Sequence, residues 1–211
     1  MSTRLVVATG NPGKLVEIQR FFAGVDVLLV TLTEVLGYLP KVDEVGSTFR
    51  ANAEIKAVSA CAETGLWVLA DDSGLEVDRL GGRPGVRSAR YAGEAASDED
   101  NNRRLLRQLD GVPETERTAR FRAALTLARP GARLLTVDAP SVEGIILGEP
   151  RGSGGFGYDP LFSVPSLGGL TFAELDPEQK DGVSHRGRAL RKLRVLLEDL
   201  LPGRPAQQGG A

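Results

Sequence analysis

The stretch LADDSGLEV, residues 69–77, decides the fold prediction because an apolar run meets two adjacent carboxylates there. Residues 66–70 are apolar and predict a strand buried in a sheet. Asp71 and Asp72 follow, then a hydroxyl and a glycine, which predicts that the strand ends at the rim of the sheet. Ligand sites of α/β proteins occupy that rim, and neighbouring carboxylates repel unless cations or donors compensate. The same residue types form surface turns, so the stretch alone leaves both interpretations open.

The composition is that of a globular chain without a strong net charge. The chain has 211 residues, 41% hydrophobic and 26% charged, which is enough for one large domain or two lobes sharing a sheet. Its formal net charge of -2 gives no reason to expect nucleic acid or an anionic membrane as a partner. The single cysteine excludes an intrachain disulfide, and no leader pattern or membrane-length apolar run occurs. We therefore expect a cytoplasmic protein.

A second segment, TGNPGK at residues 9–14, lies between an apolar strand pattern and a helical pattern. A strand, a glycine turn and a helix N-terminus together favour a bound anion through backbone N–H groups and the helix dipole. Lys14 adds a mobile positive charge. The spacing is not that of a P-loop, which needs a longer glycine interval and a hydroxyl after the lysine. The segment predicts a phosphate cradle, although a plain βα turn with a surface lysine also fits.

The remaining periodicity alternates between helix and strand and predicts an α/β fold. Predicted helices cover residues 48–64 after a cap at Ser47, begin again at Ser97, and end the fold after a cap at Ser184. Predicted strands cover residues 118–129, a hairpin partner at 134–137, and 142–147. We find no repeat and no linker, so residues 1–201 are expected to form a single domain. Residues 202–211 are rich in Gly, Pro and Gln and are expected to be disordered.

Three further segments carry charged or aromatic side chains, and two of them are rich in glycine. Residues 152–160, GSGGFGYDP, contain four glycines, which permit close backbone approach to a ligand. Residues 80–93 form a long loop with several arginines, and such a loop is either functional or mobile. Near the C-terminus, Lys180 precedes the sequence SHRG at residues 184–187.

Five segments, in order, resemble the inosine triphosphate pyrophosphatase family, also called Ham1-like. They are residues 9–14, 49–56, 70–74, 155–160 and 184–187. The resemblance extends over nearly the whole chain, and it implies an elongated mixed β-sheet flanked by helices, with two lobes and a substrate cleft between them. It also implies a homodimer that uses Mg²⁺ to hydrolyse ITP, dITP and XTP to the monophosphate and pyrophosphate. That reaction removes deaminated purines from the nucleotide pool.

The resemblance implies roles for the residues that match the family's motifs. Asp72 resembles the proton acceptor and metal-associated carboxylate, and Glu44 resembles a second acidic metal partner. Asp71 is a further carboxylate within reach of a metal. The implied phosphate-binding set comprises Thr9, Gly10, Asn11, Pro12, Gly13, Lys14, Lys56 and Ser73. The implied base-binding set comprises Phe156, Gly157, Tyr158, Asp159, Lys180, His185 and Arg186.

The chemistry of these residue types agrees with the resemblance. A nucleoside triphosphate carries about four negative charges, which Mg²⁺ and lysines neutralise, and Mg²⁺ takes a few carboxylates with phosphate oxygens and water. Two other classes of protein stay open. A non-catalytic nucleotide-binding module would keep the glycine cradles without needing Asp72. A Maf-like pyrophosphatase acting on other modified nucleotides would lack the SHR signature, and a kinase would need a P-loop.

We predict that hydrolysis depends on Asp72 more than on Asp71. Adjacent residues of a strand point to opposite faces, so only one carboxylate readily faces the phosphates. Asp72→Asn is expected to lose most turnover while the protein still folds. Steady-state kinetics of the two Asn variants, with circular dichroism as the folding control, make the comparison. A greater loss in a well-folded Asp71→Asn protein would contradict the assignment.

Overall fold

The computed structural model describes residues 2–201 and contains an eight-stranded mixed sheet flanked by helices. The predicted disordered tail lies outside the described residues. The strands are β1 Thr3–Ala8, β2 Val27–Thr31, β3 Trp67–Val77, β4 Thr118–Ala128, β5 Leu135–Asp138, β6 Val142–Ile146, β7 Phe162–Val164 and β8 Leu170–Thr171. The helices are α1 Pro12–Phe22, α2 Leu32–Leu36, α3 Phe49–Thr64, α4 Asp98–Gln108, α5 Pro177–Val183 and α6 His185–Leu200.

The sheet joins a parallel part to an antiparallel part. The strand order is β2-β1-β3-β4-β6-β7-β8, and β5 pairs with β4 off this path. The first three strands run parallel, whereas the pairings from β3 onward are antiparallel. The expected mixed sheet flanked by helices is confirmed. Within residues 2–201, no helix has both the length and the apolar character that crossing a bilayer requires.

β3 carries the paired carboxylates in its interior, so the prediction that this strand ends before Asp71 is wrong. The strand continues to Val77 because β4 pairs with it along almost its whole length. The parallel neighbour β1 pairs only as far as Ala8, opposite Ala70. Asp71 and Asp72 therefore lie where β1 ends and the chain turns into α1, which puts them at the rim of the parallel part of the sheet.

Side-chain caps begin the helices that carry site residues. Asn11 caps α1, which starts two residues before Lys14. Thr48 caps α3, so the prediction of Ser47 is one residue too early. Ser97 and Ser184 cap α4 and α6, as predicted. Each cap oxygen accepts an N–H group that the first helical turn leaves without a partner.

Three hydrophobic cores of the described residues include side chains of both β3 and β4, and two of them lie toward opposite ends of β3. One packs β6, β7 and α4 against Leu75 and the far end of β3. The other packs β1, α1 and α6 against Leu69 and the near end of β3. The polar segment of β3 lies between these two cores. This arrangement gives a physical basis for the predicted single domain with two lobes, which stays a prediction.

Gly74 lies where β3 touches a short 3₁₀ helix, Gly85–Arg90, in the glycine-rich loop. A Cβ atom at position 74 would lie 2.3 Å from Ser88 Oγ and 2.6 Å from the carbonyl oxygen of Gly85. Because the second of these atoms belongs to the backbone, rotation of a side chain cannot relieve the contact. The glycine-rich loop, residues 80–93, is thus in direct contact with the strand next to the two carboxylates.

Gly74→Ala is expected to destabilise the protein by about 1–3 kcal/mol, because the added methyl group forces the backbones apart. Gly182→Ala is the matched control, since an added Cβ in α5 meets no atom within 4 Å. Replacing glycine by alanine in a helix is neutral or stabilising, by up to about 1 kcal/mol. Urea unfolding of both variants makes the comparison, and equal free energies of unfolding would contradict the proposed contact.

Candidate active site

A cleft of about 330 Å³ collects the segments that the sequence singled out. Of the predicted site residues, those that line it are Thr9, Gly10, Asn11, Lys14, Glu44, Lys56, Asp71, Asp72, Ser73, Phe156, Gly157, Tyr158, Asp159, Lys180, His185 and Arg186. Pro12 and Gly13 do not line the cleft, since they form the first turn of α1 behind it. The five motifs, which are far apart in sequence, therefore meet at one place.

The N-terminus of α1 forms one end of the cleft. Thr9 Oγ1 accepts the N–H of Asn11 at 3.1 Å, and Asn11 Oδ1 accepts the N–H of Lys14 at 3.1 Å. These contacts hold the turn in shape before the helix begins. A Cβ at Gly13 would lie 2.4 Å from the ring of Phe156, so glycine allows residues 155–159 to approach the helix. We call these residues the base loop, after the predicted base-binding set that they contain.

Asp71 is buried between two cations. Lys14 Nζ lies 2.7 Å from Asp71 Oδ1, and Arg186 Nε lies 2.6 Å from Asp71 Oδ2. Burial alone would raise the pKa of Asp71, but Arg186 and Lys14 outweigh it and hold the pKa well below its usual range. Both oxygens are engaged, so a metal at Asp71 would have to displace a buried cation. The predicted metal role of Asp71 receives no support from these contacts.

Asp72 points away from Asp71 and meets a different set of partners. Lys56 Nζ lies 2.9 Å from Asp72 Oδ1, 2.9 Å from Glu44 Oε1 and 2.8 Å from the carbonyl oxygen of Asp71. Burial raises the pKa of Asp72 despite the opposing effect of Lys56 and Lys14. Its other oxygen, Oδ2, is buried and has no hydrogen-bond partner among residues 2–201. Asp72 thus has an acceptor atom left for a ligand or a proton.

The residues around Asp72 fit a divalent cation that arrives with phosphate. Residues 2–201 contain no group of three or more His, Cys, Asp and Glu side chains arranged to hold a metal. Mg²⁺ does not require such a group, because it commonly takes one or two carboxylates and completes its shell with phosphate oxygens and water. Asp72 supplies an oxygen that has no partner among residues 2–201. The oxygens of Glu44 contact Lys56 and Arg90. The side chain of Glu44 is 18% exposed whereas that of Asp71 is 0% exposed, so incoming phosphate and metal can reach Glu44 more readily.

Aromatic rings and cations form the other end of the cleft. The ring of Phe156 lies 4.6 Å from Lys180 Nζ and 5.4 Å from the guanidinium carbon of Arg186. His185 stacks on Phe121 with ring centroids 4.7 Å apart. Burial, assisted by Arg186, lowers the pKa of His185 well below its usual value, so the imidazole is neutral at pH 7. Its Nδ1 atom is buried and without a hydrogen-bond partner in the described part of the chain.

Glu17 does not line the cleft, but it pairs with two cations that do, and the sequence analysis missed it. Its two oxygens lie 2.7 Å from Lys180 Nζ and 2.6 Å from Arg186 Nη1. Lys180 also pairs with Asp159 at 2.6 Å, whereas Arg186 also donates to Ser73. Burial opposes the charge of Glu17, but Arg186 and Lys180 lower its pKa overall. A signal was present, since Glu17 follows Lys14 by three residues and shares its helix face.

Among the residues that line the cleft, those absent from the predicted set include Ser88, Arg90, Asp98, Asn101 and Phe121. The three hydrogen bonds that Arg186 donates inside the protein use three of the five N–H groups of a guanidinium. Its predicted contact with a base is therefore limited to the remaining two. That contact, like the other assigned roles, stays a prediction.

The fold and the cleft define an α/β protein whose site sets lysines and an arginine beside carboxylates, an arrangement suited to a polyanion bound with a cation. The chain belongs to the Ham1 family, whose model matches residues 5–196. The resemblance inferred from the five motifs is confirmed, and the Maf-like alternative is wrong as a family assignment.

Named relatives and solved structures match this chain over nearly its whole length. A dITP/XTP pyrophosphatase of Geobacter sulfurreducens is 54% identical over 199 residues, covering 94% of this chain and 96% of the relative. A HAM1 protein from Coxiella burnetii matches with a TM-score of 0.83 at 41% identity, covering 93% of this chain and 99% of that one. A nucleoside-triphosphatase, or dITP/XTP pyrophosphatase, from Mycobacterium abscessus has a TM-score of 0.71 at 46% identity, covering 92% and 100%.

Glu17→Gln is expected to destabilise the protein by about 3–5 kcal/mol, because it leaves two buried cations short of a counter-charge. Glu99→Gln is the matched control, since Glu99 pairs with Arg103 on the exposed face of α4 and should matter little. Urea unfolding at pH 7 measures both. Unchanged stability in Glu17→Gln would show that its ion pairs are not needed to hold the cleft together.

Proposed function

We propose that this protein hydrolyses deaminated purine nucleoside triphosphates, namely ITP, dITP and XTP, to the monophosphate and pyrophosphate, and so cleanses the nucleotide pool. The observation that carries the proposal concerns Asp72, which lies in a cleft between an anion cradle and an aromatic loop. Lys56 contacts its Oδ1 atom, and its Oδ2 atom has no hydrogen-bond partner among residues 2–201. The names of the relatives, dITP/XTP pyrophosphatase, support the substrate class.

The phosphate chain would bind at the α1 end of the cleft. Lys14 and Lys56 supply positive charge there, and Thr9, Asn11 and Ser73 supply polar groups. Both lysines now contact carboxylates, and a triphosphate with about four negative charges competes strongly for them. Burial lowers the pKa of Lys14, and a bound phosphate would favour its charged form.

The hydrolytic step would use Asp72 as proton acceptor. Water attacks the α-phosphorus, its proton passes to Asp72, and the bond from that phosphorus to the bridging oxygen breaks to release pyrophosphate. Lys56 holds Asp72 in place for this transfer. Asp72 and Glu44 would hold Mg²⁺, which neutralises phosphate charge when bound.

The base would bind against Phe156, beside the group of Lys180, His185 and Arg186. Hypoxanthine and xanthine present an acceptor at position 6, where adenine presents an amino donor. A donor from this group facing adenine would leave polar groups unpaired, at a cost of about 1–3 kcal/mol each. Phe156 offers a stacking face that does not distinguish bases. Guanine carries an amino donor at position 2, so it would be rejected if donors from Lys180 or a backbone N–H face that position.

We further propose, from family resemblance, that the protein acts as a cytoplasmic homodimer with Mg²⁺ as its metal. Its partners would be the nucleotide substrate and a second copy of the chain, with no nucleic acid or membrane. Sedimentation analysis tests the dimer, and activity with Mg²⁺ added after chelation tests the metal.

Hydrolysis of ITP in ¹⁸O-labelled water is expected to place the label on the nucleoside monophosphate. ITP and XTP should be hydrolysed in preference to ATP and GTP by about 5–150-fold for each mismatched group. Mass spectrometry of the products and steady-state kinetics supply the measurements. Label in inorganic phosphate released directly from ITP would contradict attack at the α-phosphorus. A wild-type protein that binds ITP without turnover would instead favour the non-catalytic module.

A further inference from the structure

The short 3₁₀ helix Gly85–Arg90 connects the base loop to the strand that carries the carboxylates. The hydroxyl of Tyr158 donates to the carbonyl oxygen of Ser88 at 2.9 Å, in a buried contact. The side-chain oxygen of Ser88 accepts the N–H of Leu75 at 2.9 Å. One residue of this segment is therefore bonded on one side to the base loop and on the other to β3, close to Asp72.

Helix α4 contacts both the chain around the Gly85–Arg90 segment and the base loop. Asn101 donates to the carbonyl oxygen of Ala89 at 3.1 Å and accepts the N–H of Ala92 at 2.7 Å. Asp98 accepts the N–H of Gly157 in the base loop at 2.7 Å. Asn101 is 2% exposed, so its two contacts are shielded from water. The backbone on both sides of Arg90 is thus fixed by the helix that also fixes the base loop.

Arg90 extends from this fixed backbone to Glu44. Its Nη1 atom lies 2.7 Å from Glu44 Oε2, and the other oxygen of Glu44 lies 2.9 Å from Lys56 Nζ. Glu44 belongs to the irregular segment between α2 and α3, so no helix or strand orients it. Its direction is set by Arg90 and Lys56 together, and Lys56 also holds Asp72.

We propose that Arg90 is a positioning residue for hydrolysis: it fixes the Glu44 carboxylate beside Lys56 and Asp72. Contacts of the base loop with the Gly85–Arg90 segment set the place of Arg90 itself. This inference rests on the proposed function. It implies that a well-seated base improves kcat and not only KM, since base and carboxylates share one connecting segment.

The competing role for Arg90 is direct binding of phosphate, because its guanidinium also lines the cleft. In one role Arg90 contacts the phosphate directly, and in the other it acts through Glu44, so the two roles predict different kinetic effects. A phosphate ligand would contribute chiefly to KM and would act independently of Glu44. A positioning residue would act on kcat and on the affinity for the metal, and only while Glu44 is present.

The first experiment compares Arg90→Met and Arg90→Lys with the matched control Arg87→Met. Arg87 belongs to the same segment but is exposed and pairs with Glu94 at 3.4 Å. Arg90→Met should lower kcat for ITP by about 10–100-fold, the usual effect of removing a residue that orients a metal ligand. KM should stay within about threefold, Arg90→Lys should recover part of kcat, and Arg87→Met should match the wild type.

A direct metal measurement accompanies the kinetics. Mn²⁺ is titrated by electron paramagnetic resonance in the presence of an ITP analogue with an unreactive methylene between the α- and β-phosphates. The apparent Kd for Mn²⁺ should rise about 10–100-fold in Arg90→Met and stay unchanged in Arg87→Met. Unchanged Mn²⁺ affinity in a folded Arg90→Met protein, together with a raised KM, would overturn the proposal in favour of a phosphate contact.

A double-mutant cycle makes the decisive test. In the Glu44→Gln background, Arg90→Met should cause no further loss, because both changes remove the same contact. Tyr158→Phe should lower kcat more mildly, and this effect should vanish in Arg90→Met. Losses in kcat that multiply in the double variants would overturn the proposal.

If Arg90→Met fails to fold, Glu44→Gln paired with Tyr158→Phe gives the same cycle. A wild type without turnover refutes the proposed function, while the Mn²⁺ titration still tests Arg90.

Discussion

The pairing of Asp71 with Lys14 and Arg186 is the interaction on which the rest of the cleft depends. It joins the middle of β3 to the first turn of α1 and the first turn of α6; Asp71 and Arg186 are buried, and the Lys14 side chain is only 14% exposed. A buried charge without its partner costs several kcal/mol. Each of these buried charges is therefore stable only when the elements that carry its partners have folded against it. The charged residues of the site thus also hold its elements together.

Two adjacent carboxylates have acquired different environments through the alternation of a strand. Asp71 is held ionised by Arg186 and Lys14, whereas burial raises the pKa of Asp72. Environments that push the pKa values of neighbouring acids apart assign them to different tasks. Asp71 pairs with the cations, whereas Asp72 has an oxygen without a partner among residues 2–201, which the proposed function uses as proton acceptor. Sequence position alone, one residue apart, is enough to separate the two tasks because β3 is extended there.

Most of the cleft residues could be predicted because five segments in order resemble one family, although single segments also fit a surface turn or a plain βα turn. The sequence did not reveal that β3 runs through Asp71 and Asp72, because the local signals of Asp, Ser and Gly favour a turn. Only pairing with β4, far along the chain, overrides them. Glu17 was missed for a related reason, since a charged residue on a helix resembles a solvated face until its distant partners are known.

The three contacts of Lys56 have a consequence for how a polyanion enters this cleft. Before a ligand binds, the lysine charges are already balanced by the carboxylates of Asp71, Asp72 and Glu44. Under the proposed function, an arriving metal–triphosphate would exchange partners: Asp72 and Glu44 would hold the metal, and the lysines would hold the phosphates. Such an exchange of ions would need no excess of positive charge over the whole surface. A chain with a formal net charge of -2 meets that condition.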